Sequence, residues 1–120
     1  MKYMVLMFGD AGDMQTSMSK EWIREMIAFM VDVDKELRER GELVAAEGLA
    51  VPAQATTVRY EDGASVASAG PFSEPRASVA GWWIIDVESE ARAIEFAKHI
   101  VDFTHGPIEI RLVADGPPEV

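Results

Sequence analysis

The chain has 120 residues, 48% of them hydrophobic, with 21 acidic side chains against 11 basic ones and no cysteine. That length and composition imply one domain, 1–120, with a sizeable core, and exclude disulfides and thiolate metal sites. A net charge of −10 repels phosphate backbones and acidic lipid, so neither nucleic acid nor a membrane is expected as a partner.

No run reaches the ~20 apolar residues that span a bilayer, and the apolar start is too short for a signal peptide. A cytoplasmic location is the resulting expectation. Tyr3 to Phe8 is a continuous apolar run and predicts a strand buried on both faces. Gly9 to Ser17 has the composition of a loop. Ile23, Met26, Ile27, Met30, Val33 and Leu37 recur at helical spacing. They predict a helix from about Lys20 to Arg40, capped by Ser17 or Ser19 and ended by Gly41. Trp22 and Phe29 lie off the centre of that stripe, where a partner or a pocket rim would meet them.

Glu42 to Leu49 predicts a strand that Pro52 closes. Ala55 to Tyr60 and Ala64 to Ser68 flank Glu61-Asp62-Gly63, which predicts a β-hairpin, and their modest hydrophobicity predicts an exposed ribbon. Gly70-Pro71 and Pro75 punctuate a stiff loop over 69–78. Val79 to Ile85 has no polar side chain and predicts a second strand buried on both faces, with Gly81 marking a bulge or a close backbone approach. A helix follows from Glu88 or Ser89 to about Phe103, with Ala93, Ile94, Ala97, Ile100 and Val101 as its apolar stripe. Ile108 to Val113 predicts a last strand with Glu109 and Arg111 on one face. Residues 115–120 predict a loose tail.

The order is β-α-β-hairpin-β-α-β. It predicts an α+β fold, a ferredoxin-like βαββαβ with an inserted β-hairpin. The first and third main strands are then central and the last lies at an edge. Both helices cover one face of the sheet, yet the central strands are apolar on the other face too. Soluble monomers rarely leave such a patch open. A homodimer is therefore predicted, its sheets packed face to face as a dimeric α/β barrel.

Gly70-Pro71-Phe72-Ser73-Glu74, Arg76 and then Gly81-Trp82-Trp83-Ile84-Ile85-Asp86 resemble the DGPF-type branch of the YCII-related superfamily. Met1-Lys2-Tyr3-Met4, Glu47-Gly48-Leu49 and Ile108-Glu109-Ile110-Arg111 extend the likeness over nearly the whole chain. Ala69, Ala80 and the Trp82-Trp83 pair depart from the branch's Asp, first Gly and Tyr pair. The resemblance implies the same dimeric α/β barrel. It also implies a His and an Asp in acid–base work, but the first His of this chain is His99, so that His is not carried over.

The residues left to carry chemistry are His105, Glu74 and Arg76. His105 precedes a Gly-Pro turn and is either a surface residue or an acid or base at a pocket mouth. Glu74 and Arg76 are either a solvated pair or a charged pair held over a cleft by the stiff loop. Phe72 anchors the loop to the core or stacks on a ligand. Trp82 and Trp83 point to opposite faces, one into the helix-side core and one into the sheet-to-sheet interior. His99 is read as a cation at a helix C-terminus. Two His without Cys argue against a metal site, the seven Met are read as adaptable packing, and no nucleotide fingerprint appears, so no cofactor is expected. Two functions fit: a cofactor-independent enzyme or binding protein for a small molecule, aromatic ones among the candidates, or a non-catalytic regulatory module. The resemblance ties the second to extracytoplasmic-function sigma factors.

Overall fold

The computed structural model describes residues 1–119. Its strands are β1 (Lys2–Phe8), β2 (Leu43–Gly48), β3 (Thr56–Glu61), β4 (Ala64–Ala69), β5 (Val79–Asp86) and β6 (Ile108–Leu112). Its α-helices are α1 (Ala11–Ser17), α2 (Lys20–Glu39) and α3 (Glu90–Thr104). Four strands form an antiparallel sheet in the order β2-β5-β1-β6, and β3 and β4 pair separately. This is the ferredoxin-like α+β arrangement, with the two apolar runs as its central strands.

Strand alternation splits each run between two faces. Tyr3 and Val5 of β1 and Trp83 and Ile85 of β5 point toward the helices. They form one buried core with Val33 and Leu37 of α2 and Ala93, Phe96 and Ile100 of α3. Phe96 holds the place that the predicted stripe gave to its neighbours, and Ile94 is exposed instead. The other face has no helix over it. Burial on both faces therefore does not hold within one chain: Met4, Leu6, Trp82 and Ile84 stay partly accessible.

The helix ends follow their local chemistry. The Ser19 side chain accepts the Trp22 N–H and starts α2. At its far end Gly41 takes φ 69°, Glu42 N–H donates to Leu37 C=O at 2.9 Å and Gly41 N–H to Arg38 C=O at 3.0 Å. These two bonds are the Schellman pattern that a glycine after the cap allows. Gly81 answers to a close approach: a Cβ there would stand 3.1 Å from the Glu47 carbonyl oxygen. The register shift falls beside it, between Met7 and Phe8.

One expected loop is a helix. α1 occupies residues predicted as irregular. Asp10 caps it by accepting from Gly12 and Asp13 N–H, and it buries none of its own residues.

The hairpin turns through Asp62 and Gly63, whose φ values are 50° and 83°. Positive φ at both central residues defines the two-residue turn that suits strand twist. The resulting arm stands away from the sheet. Val58, Tyr60 and Val66 are exposed. The radius of gyration is 16.5 Å, against roughly 14 Å for a compact chain of this length.

Candidate functional site

The uncovered sheet face presents apolar side chains at its centre. Met4 lies opposite Ile84 and Leu6 opposite Trp82 in the β1–β5 pairing, so four apolar side chains meet at its centre. Glu47 flanks Trp82 on one side. On the other, Glu109 flanks Leu6 and Arg111 flanks Met4. Arg111 Nη2 donates to Glu109 Oε2 at 2.7 Å. Met4, Leu6 and Phe8 floor an open groove of about 470 Å³ beside that ion pair. An apolar floor with one charged pair at its rim is the composition of a small-molecule site once something covers it.

The two tryptophans divide as their alternation requires. Trp83 is buried; its Nε1–H donates to Asp34 Oδ1 at 2.9 Å and its ring meets Phe96 edge-on at 5.4 Å. Trp83 is therefore a core residue and not a ligand wall. Trp82 remains on the open face.

The punctuated loop sits beside α1. Gly9 N–H donates to Ser78 C=O at 3.0 Å, and Arg76 Nη2 lies 3.8 Å from Asp13 Oδ2. Glu74 is exposed. Phe72 is 81% exposed, which overturns its reading as a loop anchor; the Arg59 guanidinium lies over its ring at 5.5 Å instead. The loop spends its hydrogen bonds internally, with Ser73 and Ser78 hydroxyls donating to Ala77 and Pro75 carbonyls, and so holds its shape without the phenyl ring.

His105 caps α3 in the left-handed region at φ 60°, its N–H donating to Val101 C=O, and its side chain is exposed. Among the described residues no hydrogen bond or ion pair joins Glu74, Arg76 and His105. They share one end of the sheet, where Phe8 pairs with Val79 and Met7 with Ile108. A left-handed residue with a Cβ is strained. His105→Gly is expected to stabilise the fold by about 0.5–1 kcal/mol, read as a higher urea midpoint. A lower midpoint would show that the imidazole makes a contact worth more than the relieved strain.

At that same end lies a feature the sequence reading missed. Met7, Met14, Met18, Met26, Met30 and Trp22 line a cavity of about 150 Å³ between α1, α2 and the sheet. Trp22, Met26 and Met30 follow the four-residue spacing that marks one face of α2, and Met14 and Met18 continue the same spacing back into α1 and the residue after it. Trp22 is held from behind by Phe103, which stacks on it at 5.8 Å and on Phe29 at 4.4 Å. Phe29 also meets His99 at 5.0 Å. The off-centre aromatics of α2 thus form one wall with α3.

The strongest electrostatic feature is also one that spacing did not reveal. Arg92 donates Nη2 to Glu42 Oε1 at 2.8 Å and Nε to Glu42 Oε2 at 3.0 Å. The Arg92 hydrogen bond holds the Glu42 carboxyl below its ordinary range, against the opposing effect of burial. The pair ties the start of α3 to the junction of α2 and β2 and stands outside the cavity and the open face.

Among the described residues no group of His, Asp and Glu is arranged to hold a metal ion, and no helix is long and apolar enough to cross a membrane.

A ferredoxin-like sheet with helices on one side and an apolar groove on the other defines a class of small α+β proteins. Residues 1–116 match the YCII-related domain, and the chain belongs to that family. It is similar to an uncharacterised protein of Rhizobium meliloti (strain 1021), with 28% identity over 116 residues, 95% of this chain and 93% of that protein.

Proposed function

We propose that this protein is a homodimeric, cofactor-independent binding protein for a small aromatic molecule, of the DGPF-type branch of its family. Two sheets pack through their open faces into a dimeric α/β barrel, and the groove beside Glu109 and Arg111 becomes the ligand chamber. The observation that carries this reading is the apolar centre of the open face, Met4, Leu6, Trp82 and Ile84. Two such faces bury each other in an isologous contact, the commonest assembly of soluble chains. Each face brings both signs of charge at its rim, so a two-fold packing need not oppose like charges. Among the described residues no hydrogen bond or ion pair joins Glu74, Arg76 and His105, which favours binding over catalysis by these three.

The test uses Ile84→Glu, which places a carboxylate at the centre of the contact. Burying an unpaired charge is prohibitive, so the variant is expected to be monomeric at micromolar concentration. Phenol, as a probe, is expected to shift the Met4 methyl signal saturably in the wild-type protein and not in the variant. A variant that stays dimeric, or a Met4 signal indifferent to phenol in the dimer, removes the chamber.

The exposed arm favours a second reading, a non-catalytic regulatory module linked to an extracytoplasmic-function sigma-factor system. Val58, Tyr60, Val66 and Phe72 offer apolar contact there. A Tyr60→Ser, Phe72→Ser double variant that remains dimeric and still binds phenol leaves the arm free for such a partner. Loss of the dimer in that variant assigns the arm to self-association.

A further inference from the structure

We infer that the methionine-lined cavity beneath α1 is a second ligand site, selective for an uncharged molecule of about one aromatic ring. It is independent of the chamber proposed between the sheets.

Size is the first argument. The cavity, partly open to solvent at Met18, holds about 150 Å³, the volume of an engineered apolar cavity that takes up benzene. Chemistry is the second. Five of the seven methionines of the chain stand around it, with Trp22 as an aromatic wall. Thioethers are polarisable and flexible, and they make favourable contacts with ring edges. No charged side chain lines it, so an ion would lose its hydration without gaining a partner. Thr104 supplies a polar group at the wall. Its Oγ1 accepts the Gly106 N–H at 3.2 Å, which leaves the hydroxyl proton free to meet one acceptor on a ligand.

The third argument is placement. Rigid elements form the floor: Met7 lies on the central strand, and Met26 and Met30 lie on α2. Met14 and Met18 come from the short α1 and the residue after it. That helix is fixed by the Asp10 cap and the exposed Arg76–Asp13 pair. A ligand entering past α1 disturbs no buried side chain of that helix.

The experiment is a toluene titration of the full chain, with its methionines labelled at the methyl carbon. The methyls of Met7, Met14, Met18, Met26 and Met30 are expected to move on one saturable curve. Met1, which lines neither site, is expected to stay still, and any toluene response of Met4 at the chamber between the sheets is expected to follow a separate curve. Benzoate, of similar size but charged, is expected to bind at least about tenfold more weakly. Met26→Phe fills the space and is expected to abolish the toluene response while the phenol response of Met4 persists. Met26→Leu keeps the volume and is expected to keep toluene binding, which separates filling from misfolding. The inference is overturned if the five methyls ignore toluene, if Met4 follows the same curve, or if benzoate binds as well. Loss of the Met4 response alone counts against the dimer chamber and leaves this site standing.

Discussion

Trp83→Ala is expected to cost about 3–5 kcal/mol of folding stability, a larger loss than that of its sequence neighbour Trp82→Ala, whose side chain is only partly buried. Trp83 is 6% exposed, packs edge-on against Phe96 and donates to Asp34. Its truncation opens a large cavity and leaves the Asp34 carboxylate without its donor. Domains of this size have about 5–15 kcal/mol of stability in total, so the loss lowers the melting temperature by roughly 10–20 °C. Trp83→Phe keeps the aromatic contact and is expected to fall between the two. The comparison belongs in the Ile84→Glu background, where association does not contribute. Equal losses for the two tryptophans in urea titrations would contradict their assignment to opposite faces.

Arg92→Ala is expected to remove about 2–3 kcal/mol near neutral pH. Arg92 and Glu42 side chains are only 12% and 13% exposed, so the stranded Glu42 carboxylate cannot be fully rehydrated in place. Arg92 also reaches Glu95 Oε1 at 2.9 Å, but that carboxylate is exposed and adds little. The pair has a pH signature. Glu42 is held below its ordinary value of 4.5 when folded. A carboxyl with a depressed folded pKa adds stability above its unfolded value and loses it as the pH falls through its folded value. Wild-type stability should therefore drop below pH 4.5 partly through Glu42. The Arg92→Ala variant should lack that component. Arg92 itself is raised above an already high value and contributes no slope in this range. Parallel stability curves for the two proteins across the acid range would contradict this.

Much of the fold was legible because local rules and tertiary demands agree. The continuous runs at 3–8 and 79–85 became the two central strands, Gly41 ended α2, and Asp62-Gly63 turned the arm. What could not be read has physical reasons. α1 is too short to be stable alone and depends on Asp10 and on packing against the chain around it. Glu42 and Arg92 are 50 residues apart, and nothing local marks either as a partner. Ile27 is apolar and exposed, so the stripe of α2 is broader than its buried face.

The candidate site was legible only in part. The split of the Trp pair follows from strand alternation, and the bare apolar face from the helix count. Phe72 was misplaced because an aromatic ring in a loop suggests an anchor, whereas this loop is closed by its own serines and carbonyls. The seven methionines read together as adaptable packing. Their four-residue spacing from Met14 to Met30 gains meaning only when α1 folds back beside α2.

Sedimentation equilibrium of the wild-type protein at micromolar concentration tests the central claim most directly. The chain has a mass of 13.2 kDa. Burial of the open face against a second copy predicts twice that mass, with a shift to the single-chain value in Ile84→Glu. A wild-type protein that sediments as one chain of 13.2 kDa would contradict the account, because Met4, Leu6, Trp82 and Ile84 would then face water.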